Sequence, residues 1–385
     1  MKEVRLGLVG VGNMGSVHAR QVLSGAIPGL KLTALADLNP AKLEAFPGLE
    51  HFTDSRKLIR SGTVDAVLVA TPHYDHTTIG IDALENGLHL LVEKPISVHK
   101  ADAERLIAAH KNKKQVFAAM FNQRTDPFYI KLKQLIDSGE LGTVRRINWI
   151  ITNWFRTQTY YNSGGWRATW AGEGGGVLLN QCPHNIDLFQ WLFGMPARVR
   201  AFCQIGRFHD IEVEDSVSAY FEYPSGTTGV FITSTGEAPG TNRLEVAADR
   251  GKVVIENDRF EFIRNEVPAD VFCQTSKESF ATPPTWQVTI PVKGHGEQHN
   301  GILKNFARAI LHGEPLIAPA REGIHSVELA NAMLMSSFTG KIIDLPMNAA
   351  AYARLLKQKI AGSKQKKKAV QEGAAGDFSK SFANL

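Results

Sequence analysis

Val4, Leu6, Leu8 and Val9 make positions 4–9 mainly apolar, with Arg5 the one charged residue, and a glycine-rich turn at 10–15 follows directly. A mainly apolar run of this kind is what a strand buried on both faces needs. The period then changes, with Ala19, Val22 and Leu23 recurring at helical spacing. Residues 30–36 read as a second strand that stops at Asp37, and 66–70, 88–92 and 115–119 read as three more. Ile79, Ala83 and Leu84 mark a helix between two of these strands, and Leu106, Ile107 and His110 mark another over 100–111. Strands alternating with helices in this way predict a parallel, doubly wound α/β sheet.

From Phe121 onward the pattern is different. A helix is expected over 127–138, closed by Gly139 and Gly142, and longer strand-like segments follow at 144–155, 199–205, 215–223, 228–235 and 243–248. Successive strands with few helices between them predict a second α/β domain with a large, mainly antiparallel open sheet. Helical patterns over 300–311 and 323–338 close it. The expected divisions are 1–121, 122–345 and a C-terminal extension over 346–385.

Length agrees with two domains, since 385 residues exceed what one small core organises, and 43% apolar residues can fill two. No apolar stretch approaches the roughly 20 residues of a membrane span. The run at 4–11 lacks both a basic leader and a small-residue cleavage site, so it reads as a strand and a cytoplasmic protein is expected. Cys182, Cys203 and Cys273 are too few and too scattered for a disulfide framework or a zinc knuckle, and are expected to be structural thiols in a reducing compartment. The net charge of +5 changes meaning once localised. Eight basic residues against two acidic ones lie in 352–385, so the body before them is close to neutral. A solvated, partly disordered tail is expected, and no nucleic-acid partner.

Gly10-Val11-Gly12-Asn13-Met14-Gly15 matches GxGxxG. Its place after a first strand and before a helix gives the pattern its meaning, because glycines there let the backbone approach a pyrophosphate at the helix N-terminus. The alternative is a plain glycine-rich turn. Asp37 ends the second strand, where a carboxylate can accept hydrogen bonds from ribose hydroxyls and repel a 2′-phosphate. With few Arg or Lys nearby, that favours NAD over NADP, the alternative being a turn residue before Asn39-Pro40.

Further on come Thr71-Pro72 with His76, Glu93-Lys94-Pro95, Gly174-Gly175-Gly176, and then Asn180, His184 and Asp187. With the glycine loop, this set resembles the glucose–fructose oxidoreductase, inositol dehydrogenase and rhizopine-catabolism (Gfo/Idh/MocA) family over about residues 1–345. The resemblance implies a Rossmann domain, a second domain whose open sheet mediates homodimers or homotetramers, and reversible alcohol oxidation on sugars and cyclitols. It places Gly10, Gly12, Asn13, Met14, Asp37, Thr71, His76, Glu93, Lys94, Trp166 and Arg167 on the cofactor side. It places Lys94, Arg124, Asn180, His184 and Asp187 on the substrate side. The stretch 172–193 is most similar to the glycoside-oxidising or levoglucosan-type branch.

Physical chemistry supports several of these roles directly. An ammonium at the carboxyl end of a parallel strand can stabilise developing alkoxide charge, which suits Lys94. An imidazole titrates near neutrality and can accept a proton, which suits His184. If positions 180, 184 and 187 share a helix face, Asp187 can orient His184 or bond the core backbone. The family commonly has Asp where this chain has Asn180, and an amide can orient a hydroxyl or cap a helix but not take its proton. Tyr160, Tyr161, Trp166 and Trp170 can stack on a sugar or pack a loop, while His299 and His325 are open candidates. No histidine–carboxylate cluster has metal spacing.

The expected activity is NAD-dependent oxidation of a secondary hydroxyl in a sugar, glycoside or cyclitol. A glycosidase with transient oxidation would use the same groups but release no net NADH. A NADP-linked reductase would need a basic pocket where Asp37 stands. A non-enzymatic sugar and dinucleotide sensor would be expected to lack Lys94 or His184.

Overall fold

The structure, a computed structural model, describes residues 2–363. Its first unit runs β1 (Val4–Val9), α1 (Asn13–Leu23), β2 (Leu30–Ala36), β3 (Glu50–Phe52), α2 (Ser55–Ile59), β4 (Ala66–Val69), α3 (His73–Glu85), β5 (His89–Val92), α4 (Lys100–Ala109) and β6 (Phe117–Ala119). The six strands are parallel, in the order β3-β2-β1-β4-β5-β6. Strand order reverses between β1 and β4, and such a reversal opens a crevice at the carboxyl ends of the strands. The doubly wound sheet expected from the sequence is therefore present.

The second unit adds α5 (Pro127–Asp137), β7 (Val144–Ile151), α6 (Gln158–Asn162), α7 (Pro183–Phe193), β8 (Arg198–Ile205), β9 (Glu214–Glu222), β10 (Thr228–Ser234), β11 (Asn242–Ala248), β12 (Gly251–Glu256), β13 (Arg259–Asn265), α8 (Ala269–Thr275) and β14 (Thr285–Thr289). It closes with α9 (Gln298–His312), α10 (Gly323–Thr339), β15 (Ile343–Asp344) and α11 (Ala349–Ala361). Nine strands form one sheet, β14-β13-β12-β11-β7-β10-β9-β8-β15, antiparallel except where β10 runs beside β7. Strand alternation sorts its faces: Ile147, Trp149 and Ile151 are buried, while Arg146 and Asn148 point the other way. That outer face carries ion pairs instead of a covering layer, among them Arg146–Glu245 at 2.6 Å and Arg243–Glu256 at 2.5 Å.

The cores do not divide where the sheets do. Ile302, Leu303, Phe306 and Ala307 of α9, with Ala318, Ala320 and Val327, pack into the core under the parallel sheet. The segment 1–121 thus lacks part of its own core. A buried ion pair joins the units further: Lys100 Nζ lies 2.7 Å from Glu328 Oε1, which also accepts from Met347 N at 2.7 Å.

The expectation of a solvated tail from 352 needs correction. Residues 349–361 form α11, whose Tyr352 and Leu356 are buried in the second core. Most lysines of the basic tail, Lys364, Lys366, Lys367, Lys368 and Lys380, lie outside the described residues. A chain ended at Asn348 is expected to melt lower than the full chain. Leu356→Ala alone should cost about 2–5 kcal/mol, as for other buried large-to-small changes, and a thermal melt unchanged by truncation would reject this.

Candidate active site

The glycine turn shows three different needs at three positions. Gly10 has φ +93°, and a Cβ there would stand 2.7 Å from the Ala70 carbonyl. A Cβ at Gly15 would stand 1.9 Å from the Gly10 oxygen, so the helix can approach the strand only without a side chain. At Gly12 a Cβ would meet nothing within 4 Å, and Gly12 caps α1 without any side-chain bond. The N-terminus of α1 at Asn13 and Met14 therefore opens onto free space, as a site for a dinucleotide pyrophosphate requires. Asp37 follows β2 as expected. Its Oδ2 accepts from Val11 N at 2.8 Å and its Oδ1 from Asn39 N at 2.9 Å, which ties the glycine loop to the second strand. Nearby basic residues are not absent, however, because Lys42 Nζ lies 3.5 Å from Asp37.

At the end of β5, Glu93 is buried and its Oε1 lies 2.7 Å from His18 Nε2. Burial opposes its ionisation, yet His18, His299 and Lys94 together hold its pKa at about 2. His76 has both ring nitrogens against backbone carbonyls, of Pro95 and of Thr71, each at 2.8 Å. It stitches the turn after β4 to the turn after β5 and presents no nitrogen to a cofactor, contrary to expectation. Thr71 Oγ1 is buried and unpartnered beside it.

Lys94 is half-buried, and its Nζ donates to the Asn180 carbonyl at 2.8 Å. Asn180 does not share a helix face with His184, because α7 begins only at Pro183, with Cys182 in the capping position. It lies in the turn before the helix and caps nothing. Its side chain donates to Glu173 Oε1 and accepts from Tyr160 Oη at 3.2 Å. Arg167 Nη1 donates to that same Tyr160 oxygen at 2.6 Å and lies 3.7 Å from Glu173. Arg167 is thus engaged inside the second unit, while its neighbour Trp166 packs edge-on against His73, ring centres 5.6 Å apart.

His184 is buried on the first turn of α7, and its Nδ1 has no hydrogen-bond partner. Burial first, then Lys94 and His299, pull its pKa well below the usual value. Burial likewise lowers Lys94. Those influences bring Lys94, His184, His299, Glu93 and His18 into one electrostatic neighbourhood at the crevice.

Arg124 and Asp187 are not part of it. Arg124 Nε and Nη2 make paired 2.7 Å bonds to the two Asp187 oxygens, and Nη1 donates to Glu322 at 2.5 Å. Both ion-pair partners within the core are about 1% exposed at the side chain. Although burial disfavours the cation, Asp187 and Glu322 keep Arg124 protonated. The expected substrate contact by Arg124 and orientation of His184 by Asp187 are replaced by a core ion pair.

Sequence reasoning missed Glu173 and His18. Glu173 stands directly before the glycine run and is 1% exposed. A charged residue wedged against obligatory glycines was the available signal. His18 lies on the buried stripe of α1 with Ala19 and Val22, where a polar residue requires a partner. Of the open candidates, His299 stands against His18 with ring centres 5.5 Å apart, its pKa lowered to about 4 by burial and by His18. His325 lies in α10 with its Nδ1 buried and unpartnered. Among the described residues no three His, Cys, Asp or Glu side chains are grouped to hold a metal, and no helix is long and apolar enough to cross a membrane.

Two family models match this chain. One, described as an oxidoreductase family with an NAD-binding Rossmann fold, covers residues 4–121, and the other, the GFO/IDH/MocA C-terminal domain, covers 129–254. The inositol 2-dehydrogenase of Rhizobium meliloti (strain 1021) is 26% identical over 86% of this chain and 96% of its own. The levoglucosan dehydrogenase of Pseudarthrobacter phenanthrenivorans is 24% identical over 91% of this chain and 100% of its own. Among solved structures, the WlbA dehydrogenase from Bordetella pertussis in complex with NADH and UDP-GlcNAcA shares the fold, with a TM-score of 0.76 at 24% identity over 90% of this chain and 100% of that one.

Proposed function

The chain belongs to the GFO/IDH/MocA oxidoreductases, which bind NAD through a Rossmann fold, and on that premise we propose that it oxidises a secondary hydroxyl of a neutral sugar, glycoside or cyclitol. The observation that carries the proposal is a buried imidazole, its Nδ1 without a hydrogen-bond partner, four residues beyond the Asn180 carbonyl that holds the Lys94 ammonium after β5 of the parallel sheet. The substrate class follows the relatives named for inositol and levoglucosan.

Gly10, Gly12, Asn13 and Met14 would hold the pyrophosphate, and Asp37 the adenosine ribose. The nicotinamide supplies the hydride acceptor when bound. His184 takes the hydroxyl proton at Nε2. Lys94, whose Nζ donates to the Asn180 carbonyl, would use its remaining protons to stabilise the alkoxide as it forms. Arg124 and Asp187 contribute by holding α7, and so His184, against the segment after β6. The uncovered face of the nine-stranded sheet is the surface on which further copies dock, giving a homodimer or homotetramer.

An NADH absorbance screen over pyranosides, free sugars and inositols tests the activity, and a screen in which none reduces NAD would reject it. NAD should bind at least tenfold more tightly than NADP, about 1.4 kcal/mol, because Asp37 would face a 2′-phosphate. Asp37→Ser should narrow that gap, since it removes the repulsion and leaves the Lys42 ammonium beside the site. Calorimetric titration with both cofactors decides it; equal affinities in the unsubstituted protein would sink the idea.

A further inference from the structure

Four side chains close a ring behind Lys94. Glu173 accepts from Asn180, Asn180 accepts from Tyr160 at 3.2 Å, Tyr160 accepts from Arg167 at 2.6 Å, and Arg167 returns to within 3.7 Å of Glu173. The ring holds a single carboxylate. Its other oxygen, Oε2, accepts from Ala168 N at 2.5 Å. Ala168 sits at φ +58°, a left-handed conformation that a non-glycine residue adopts only when held there.

Burial raises the Glu173 pKa, opposed by Arg167, the Ala168 N–H, Asn180 and Lys94, and the charge is only partly answered. The guanidinium of Arg167 directs its close bond to Tyr160, and 3.7 Å to Glu173 is beyond a hydrogen bond. The group that does bond Oε1 is an amide, which is neutral, and the same residue's carbonyl receives the Lys94 ammonium at 2.8 Å. Asn180 therefore stands between an anion on one side and a cation on the other, bonded to both.

We propose that Glu173 is a positioning residue whose carboxylate, acting through Asn180, keeps the Lys94 ammonium protonated and aimed into the crevice. The proposal rests on the role given to Lys94 above. In it, Glu173 and Asn180 work as one acidic unit: the charge resides on Glu173, and Asn180 supplies the contact to Lys94.

Lys94 has other charged and titratable neighbours. Glu93 precedes it on the same turn, Cys182 faces it from the cap of α7, His184 from α7 itself, and Arg167 from the loop before the glycine run. His73 faces it from α3 and His299 from α9. Of these anions, Glu93 already has His18 at 2.7 Å, and burial raises the Cys182 thiol to about 12, leaving it neutral. Burial lowers Lys94, and both Glu93 and Glu173 oppose that. Removal of the Glu173 charge must therefore let the Lys94 pKa fall.

The test reads Lys94 itself, without a sugar. Full-length NAD-loaded protein is labelled with trace acetic anhydride from pH 6 to 11, and the Lys94 peptide is compared by mass spectrometry with that of exposed Lys31. Glu173→Gln should lower the Lys94 midpoint by about one unit. The double variant Glu173→Gln/Asn180→Asp, which moves the charge one residue along the ring, should bring the midpoint back. Asn180→Asp alone is no substitute, because two carboxylates on one hydrogen bond would keep a proton between them. An unshifted midpoint in Glu173→Gln, or a double variant no different from the single, would overturn the proposal and leave Glu173 as an anchor for Ala168. Should Glu173→Gln fail to fold, Asn180→Ala removes the bridging amide but keeps the carbonyl that holds Lys94. Its midpoint must also fall, and a constant one overturns the proposal. Because no substrate enters the measurement, failure of the dehydrogenase reading is seen separately, in the NADH screen.

Discussion

His184→Ala is expected to cut turnover by roughly 10²–10⁴-fold, the usual contribution of a positioned acid–base group, while NAD affinity stays unchanged. The Nδ1 of the imidazole has no hydrogen-bond partner and the residue belongs to α7 of the second unit, so its loss should not disturb cofactor binding. Its pKa lies well below the usual value because burial, Lys94 and His299 all disfavour the charged ring. The proton-accepting form therefore persists into acid, and the rising limb of kcat/KM should fall below pH 6.5. Lys94→Ala should be comparably damaging. It should also move that limb upward, since it removes a positive charge that depresses the imidazole. Near-normal turnover in His184→Ala at its own optimum would transfer the base role to another group. A limb that stays in place in Lys94→Ala would show that the two groups do not share a site.

Arg124→Ala should act by a different route, destabilising the protein by about 3–5 kcal/mol as expected when one partner of a buried ion pair is removed. Asp187 would remain 1% exposed, with Gln190 as its main neighbour, and Glu322 would lose its 2.5 Å partner. Asp187→Ala should cost a similar amount, and Arg124→Ala/Asp187→Ala less than the sum, because the second change removes the stranded charge. Chemical denaturation of the three variants measures this. A stable Arg124→Ala protein with a raised KM would instead make Arg124 a substrate contact.

What could be read in advance follows from how each feature is encoded. The glycine turn, Asp37 and the Glu93-Lys94-Pro95 turn all sit at ends of apolar strands, where strand period and turn residues fix position together, and the structure puts them at the crevice. Strands β12 and β13 were not expected, because they lie toward the edge of the sheet and alternate without a long apolar run. Strand β14, TWQVT, is mostly exposed and reads as loop. The helix at 349–361 was hidden by its lysines, since only Tyr352 and Leu356 of its length are buried. Arg124 was placed at the substrate by the family resemblance and Asp187 beside His184 by helix spacing, and neither signal shows that the two, 63 positions apart in the chain, pair with each other. Glu173 lies in irregular backbone and Tyr160 in the five-residue helix α6, too short for a period to be read.

The return of α9 to the first core bears on how the protein is made. Ile302, Leu303, Phe306 and Ala307 complete a core whose other members are nearly all in place by Phe121. At ~5–20 residues per second the ribosome needs on the order of 10–40 s to travel from one to the other. Through that interval the nascent parallel sheet carries an apolar groove that nothing on the emerged chain can yet fill. The nucleotide-binding half is thus translated first but finished late, and a holding chaperone would have that window in which to act.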